Sequence, residues 1–270
     1  MKSYFLLLCT IFVAIATNVN AQTKVRGTVT DTRSHGIEYA TICVDSVYAI
    51  SDKDGHFELL LPNGSQADMV VSHISYKPKS VLHDVYKQGN VDIVLNDKAY
   101  DLKAVDIVRA KTKLKTILGK GMKLPGDAAF GKAQKGNVEM GPLFAPKSNY
   151  AAVRFDMKVE ECTYSQCVVR LIIYKVNDTV FEPIMAKPLY MELTTANKNS
   201  DISIHTTSPI ALRKGETYYI GVSVVAGSAN GTLHFPAHLR SSYVRDIIKG
   251  THKKIPATLG VSVMGYKMKE

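Results

Sequence analysis

The 270-residue chain contains no tryptophan and only four cysteines. A structural zinc site takes four soft or imidazole ligands at tight spacing, and no such quartet is present. There is no G-x-S-x-G elbow, no H-E-x-x-H helix, no P-loop and no dinucleotide fingerprint. Beyond the first twenty or so residues no apolar run is long enough for a membrane helix. Acidic residues are few, 24 against 34 Lys and Arg, for a formal charge of +10. These absences exclude the enzymes that a local motif defines. They leave binding modules and chemistry assembled from distant residues.

Met1 to Ala21 reads as a targeting segment. Lys2 supplies a positive start, Phe5 to Ala16 an apolar run too short to span a bilayer comfortably, and Val19-Asn20-Ala21 small residues for a signal peptidase. Cys9 lies inside the apolar run after Leu8, which argues against a lipid anchor there. The mature chain would begin at Gln22, keep three cysteines and occupy an extracytoplasmic space: periplasm, outer-membrane surface or medium. Losing Lys2 leaves a charge of about +9. Such a balance often signals nucleic acid, which an exported chain rarely meets. Lipopolysaccharide phosphates, acidic glycans or acidic protein surfaces fit that address, as does a solvated basic surface with no partner.

From Val25 to Leu95, short alternating runs are separated by turn chemistry. Val25, Gly27 and Val29 alternate, as do Phe57, Leu59 and Leu61, and Val91, Ile93 and Leu95. Period two puts one set of side chains on a buried face. Asp52-Lys53-Asp54-Gly55 and Pro62-Asn63-Gly64 are hairpin turns. The pattern predicts a small all-β sandwich.

Gly27, Asp31, Ala40, Val44, Ser51, Asp52, Asp54, Gly55, Phe57, Ser72 and Tyr76-Lys77 fall in an order that resembles the carboxypeptidase regulatory-like domain. That resemblance covers about a quarter of the chain. It implies a seven-stranded, transthyretin-like sandwich of the form found at the front of many envelope proteins of Bacteroidota-type bacteria, TonB-dependent receptors among them. In those relatives the module is an accessory to something else that acts. The residues that follow are too few for a 22-stranded barrel.

Leu102 to Val108 resembles the short strand that often follows this module, closing a first domain of residues 22–108. Residues 109–136 read as a basic, glycine-containing connector, with Arg109, Lys111, Lys113, Lys115, Lys120 and Lys123 and no acid before Asp127. It is expected to pack poorly and to offer salt-dependent contact to an anionic surface.

Residues 137–270 read as a second β-domain, jelly-roll-like. Val153, Phe155, Met157 and Val159 alternate. Val168 to Tyr174 has the character of a central strand. Thr217 to Val225 and Leu259 to Val263 are further strands, and Leu239 to Lys249 is the one helix candidate. The layout is similar to a C-terminal sandwich that follows regulatory-like modules in uncharacterised envelope proteins, and that similarity implies no activity. Cys43 is expected as a small buried thiol. Cys162 and Cys167 bracket four residues, a spacing that suits facing positions on a hairpin; they form a disulfide in an oxidising compartment or stay as two thiols.

No catalytic, cofactor-binding or metal residues are assigned. His35 and Glu38 match an H-x-x-E zinc pair, but in a turn of the accessory module. Asp52 and Asp54 resemble the start of a calcium loop, but Gly55 comes too early for one. His234 and His238 are four apart around Pro236, which breaks a helix. Asp45-Ser46-Val47 and Asp178-Thr179-Val180 look like O-glycosylation tripeptides of exported proteins. The expected function is a non-enzymatic envelope module that binds an envelope protein or a glycan. A carbohydrate-binding module is the alternative, and a hydrolase with a dispersed site is the third reading. Without tryptophan, sugar stacking would fall to Tyr164, Tyr174, Tyr190, Tyr218 or Tyr219. Binding loops would come from Thr163 to Gln166, Asn177 to Glu182, Lys214 to Glu216 and Ala229 to Thr232, in a clustering the sequence leaves open.

Overall fold

The described residues form twenty strands. The computed structural model describes residues 23–98, 113–131, 137–228 and 230–268. The expected signal segment, the strand at Leu102 to Val108 and part of the basic run lie outside them. The described chain divides into two compact units, residues 23–71 with Pro78–Leu95, and Ser72–Lys77 with residues 96–268.

The first unit has seven strands: β1 (Thr23–Thr30), β2 (Thr41–Val44), β3 (Val47–Ile50), β4 (His56–Leu61), β5 (Met69–Ser72), β6 (Lys79–Val81) and β7 (Asn90–Val94), with one helical turn, α1 (His83–Tyr86). They form two sheets, β4-β1-β7 and β3-β2-β5-β6. Val25, Val29, Leu59, Leu61, Ile93, Ile42, Met69 and Val71 fill the space between them and are buried. This is the predicted seven-stranded sandwich.

Local devices fix its turns. Asp31 Oδ1 accepts from the backbone N–H groups of Arg33 (2.8 Å) and His35 (2.9 Å). These bonds, led by that to His35, hold its pKa down at about 2. Ser51 Oγ accepts from Ala40 N and donates to Ile37 O, both at 2.8 Å, and is buried. Gly55 takes φ +86° at the β3–β4 turn, where a side chain would also strike Val29 O.

The second unit has thirteen strands in two sheets. The nine-stranded sheet has the path β12 (Glu161–Cys162), β18 (Leu233–Asp246), β10 (Val138–Phe144), β17 (Tyr218–Gly227), β13 (Cys167–Asn177), β14 (Val180–Pro183). In addition β15 (Leu189–Leu193) pairs with β13, and β9 (Met122–Phe130) and β19 (Thr251–Leu259) pair with β18. The four-stranded sheet is β16 (Asp201–Leu212), β11 (Tyr150–Lys158), β20 (Val261–Lys267), β8 (Lys115–Leu118). One core joins them: Phe155 and Met157 of β11, Val261 and Val263 of β20, Leu171 and Ile173 of β13, Ile220 and Val222 of β17. β10, β11, β13, β16 and β17 alternate between the sheets, the crossing pattern of a jelly-roll-like sandwich.

Four expectations are corrected. The supposed connector 109–136 contains β8 and β9, which pair with β20 and β18. These strands bury only Leu118, Ala128 and Phe130, too few to print an alternating pattern, and β9 tolerates Pro125-Gly126 because it lies off the main path of its sheet. Leu239 to Lys249 is not a helix: it belongs largely to β18, paired by β10 on one side and β19 on the other, and long-range pairing overrides its weak helix propensity. The last expected strand is two, split at Gly260, where a Cβ would lie 2.5 Å from the His238 ring. Cys43 is half-buried, its thiol 3.4 Å from Asp45 O.

Candidate functional site

Strand register sets a row of polar side chains across the nine-stranded sheet. Arg245 of β18 pairs with Glu139 of β10. The Met140–Val222 pair sets Glu139 beside Ser223 of β17. Ser223 pairs with Arg170 of β13, and Arg170 with Tyr190 of β15. Residues directly opposite one another in paired strands share a face, so Arg245, Glu139, Ser223, Arg170 and Tyr190 lie along one side of the sheet. Tyr174 and Tyr219, themselves paired, flank the row.

Glu139 is fully buried and holds the row together. Its Oε2 accepts from Arg245 Nη1 at 3.0 Å, and its Oε1 accepts from Tyr174 Oη–H at 2.9 Å. Arg170 Nη2 is 3.6 Å from Oε1, an ion pair beyond hydrogen-bond length. Gly221 makes the room: a Cβ there would lie 2.9 Å from Glu139 Oε2 and 3.2 Å from the Tyr174 ring. The Arg245 guanidinium lies 3.9 Å from the centroid of Phe181 and 4.6 Å from that of Tyr174, within cation–π range. Phe181, Tyr243 and His252 complete an edge-to-face ring cluster with centroids 5.2–5.5 Å apart.

The row has a half-open end and a covered end. At the Arg245 end Phe181 and Tyr243 are half-buried, and His252, Lys253 and Lys254 of β19 are exposed. At the Arg170 end His73 of the Ser72–Lys77 segment sits 3.4 Å from the Tyr190 hydroxyl, and Ile74 packs on the core. Burial first, then Arg170 and Lys187, push the His73 pKa down to about 3. Burial, then Glu139, pushes the Tyr174 and Tyr219 phenols upward. None of these displaced groups moves toward neutrality, where acid–base catalysis is most effective.

Sequence reasoning missed this row. Arg170 was visible as a charge inside the apolar run Val168 to Tyr174, but Glu139, Ser223 and Arg245 are scattered over three other strands. The tyrosines named for sugar stacking are mostly core residues: Tyr164, Tyr174, Tyr218 and Tyr219 are buried and Tyr190 is half-buried. Tyr174, Tyr218 and Tyr219 stand on β13 and β17, central strands buried on both faces, and Tyr164 lies in the loop before β13. The ring edges that reach solvent belong instead to Phe181, Tyr243 and His252.

The residues singled out earlier are placed as follows. Cys162 and Cys167 are buried free thiols close to one another. Burial, then Cys162, pushes the Cys167 thiol up to about 12. His35 Nδ1 lies 3.2 Å from Asp31 Oδ2, inside the turn that Asp31 organises. Asp52 Oδ1 accepts from Asp54 N and His56 N, both at 2.9 Å, which is turn bonding. His234 Nδ1 faces Asp127 Oδ2 at 3.4 Å, whereas His238 Nδ1 lies 3.0 Å from Pro236 O. Among the described residues no three His, Cys, Asp or Glu side chains are grouped to hold a metal ion. Asp45 and Asp178 take positive φ at exposed hairpin tips. The four loops sort into two pairs at opposite ends of β13. Thr163 N donates to Thr232 O at 2.9 Å and Ser228 N to Gln166 O at 3.1 Å. At the other end Lys175 Nζ reaches Glu216 Oε1 at 2.7 Å and Val176 N donates to Thr217 O at 2.8 Å. In the basic run, Lys120 and Lys123 face Asp201 (3.6 Å) and Glu160 (3.7 Å), which reduces its free charge.

With the geometry in place, comparison with known proteins bears on the first unit alone. Residues 25–107 match the CarboxypepD_reg-like domain family. Members of that family are β-sandwiches, as the first unit is. No curated protein matches the chain. Solved structures similar to it include T=1 particles derived from infectious bursal virus (9% identity, 92% of this chain and 78% of that chain covered, TM-score 0.17). The Gt strain of infectious bursal disease virus is another (11% identity, 94% and 68% covered, TM-score 0.17). Scores so low carry no argument about fold or function. No helix among the described residues is long and apolar enough to cross a membrane.

Proposed function

We propose that the chain is an exported, non-catalytic module of the cell envelope, and that it binds an acidic partner at the half-open end of the polar row. The carrying observation is Arg245: Glu139 and the rings of Phe181 and Tyr174 fix its guanidinium, and exposed His252, Lys253 and Lys254 lie on the neighbouring strand. A preorganised cation loses little freedom on binding. Support for the non-enzymatic reading comes from the family of residues 25–107, whose regulatory-like module is accessory, and from tyrosines and a histidine displaced away from neutral pKa. The half-buried rings of Phe181 and Tyr243 favour a second reading in which the acidic partner is a glycan, since sugars stack on such edges.

The test uses the full mature chain as bait in envelope extract, beside His252→Ala/Lys254→Glu. Loss of captured material with the variant, and its release by salt, is the expected result. Equal capture by both would place binding elsewhere. Turnover of glycan or peptide substrates by the purified protein would end the non-catalytic reading.

A further inference from the structure

The polar row contains two guanidiniums and one carboxylate. Glu139 spends Oε2 on Arg245 and Oε1 on Tyr174, and Arg170 is left at ion-pair distance, 3.6 Å. Arg170 is only 5% exposed, yet its Nε and Nη2 have no hydrogen-bond partner among the described residues. These two donors share one edge of the guanidinium, the fork that grips an oxyanion with two parallel bonds. The Oγ of Ser223, the residue paired with Arg170 and fully buried, is unpartnered as well. Two orphaned side chains side by side on one face mark a shared missing acceptor.

The charge balance says what kind. Tyr174 and Tyr219 cannot offset the second guanidinium, because burial and Glu139 keep their phenols protonated. His73, beside this end of the row, is held neutral. The row therefore carries one positive charge in excess, and at its buried Arg170 end a charge is costly unless paired. A water would satisfy the donors but not the charge.

We propose that Arg170 and Ser223 hold a small monovalent anion, either a halide or a carboxylate, as a structural part of the second unit. The Nε/Nη2 fork donates two bonds and the Ser223 hydroxyl a third. The anion brings the row to neutrality, and its place does not depend on whether the Arg245 end binds a partner.

The experiment follows the thermal midpoint of the full mature chain against chloride, bromide and acetate at constant ionic strength, with bulky gluconate as the balancing anion. A saturable rise of about 2–4 °C is expected, and Arg170→Met should abolish it while removing the excess charge. Should that variant not fold, Ser223→Ala serves instead and should weaken the anion's apparent affinity several-fold. In crystals grown from bromide, an anomalous peak should lie within hydrogen-bond reach of Arg170 Nε and Nη2. In crystals grown from acetate, a planar carboxylate should take the same fork. A water at the fork in every condition, midpoints that follow ionic strength alone, or an anion effect that survives Arg170→Met would overturn the proposal.

Discussion

In the first unit the buried polar side chains Asp31 and Ser51 each serve backbone groups at a turn. In the second unit Glu139, Arg170 and Ser223 lie on three strands, successive members 31 and 53 residues apart in the chain. A turn device is written into a few neighbouring residues, so it leaves a recognisable local order. A cross-sheet row depends on register between distant strands, and nothing local records it. The first unit can therefore be matched by pattern. The second must be read from its three-dimensional pairing.

The largest expected effect comes from unbalancing the row. Glu139→Gln leaves the buried Arg170 and the half-buried Arg245 without a carboxylate, and denaturant unfolding should show a loss of about 3–5 kcal/mol. A loss under about 1 kcal/mol would mean that the row behaves like a surface ion pair, and the contrast between the units would collapse. Next in size is Ser51→Ala in the first unit. It strips the partner from Ala40 N–H and Ile37 C=O and should cost about 1–3 kcal/mol, read the same way.

Acid should separate the two units. His73 titrates at about 3 in the folded chain against an ordinary 6.5. Between those values the unfolded chain holds a proton that the folded chain does not. Its contribution is thus full above pH 6.5 and falls as the pH drops toward 3, by at most about 1.4 kcal/mol per pH unit. Asp31 behaves in the same direction but lower, its contribution present above 3.8 and lost as the pH falls through about 2. An acid titration followed by hydrogen exchange should show the second unit loosening first, and His73→Gln should remove that early phase. The smallest effect belongs to Arg26→Ala. Its partner Glu58 is exposed and keeps Lys24 at 2.9 Å, so the unfolding midpoint should stay within measurement scatter.

Much of the fold was legible. Val25, Phe57 and Val91 began alternations that became β1, β4 and β7, and Phe155 and Met157 marked β11. Val153 slipped off the pattern because a bulge between Ala152 and Arg154 shifts the register. β8 and β9 were missed because their buried positions are too sparse for periodicity to show. Of the site, only Arg170 carried a signal, a lone charge in an apolar run. Tyr174, Tyr218 and Tyr219 drew attention as exposed binders, whereas burial of β13 and β17 on both faces makes them core.

Strand β20 lies between β11 and β8 in the four-stranded sheet. Its residues, 261–267, are made well after both neighbours, the first of which begins at Lys115. Until they emerge, that sheet is split in two and Phe155 and Met157 lack part of their cover. The second unit thus cannot complete itself piecemeal during synthesis. It stays open until nearly all of the described chain exists. The first unit closes on residues 23–95 and is under no such constraint. A ribosome stalled before Val261 would present a finished first unit trailing an unfinished, protease-sensitive second.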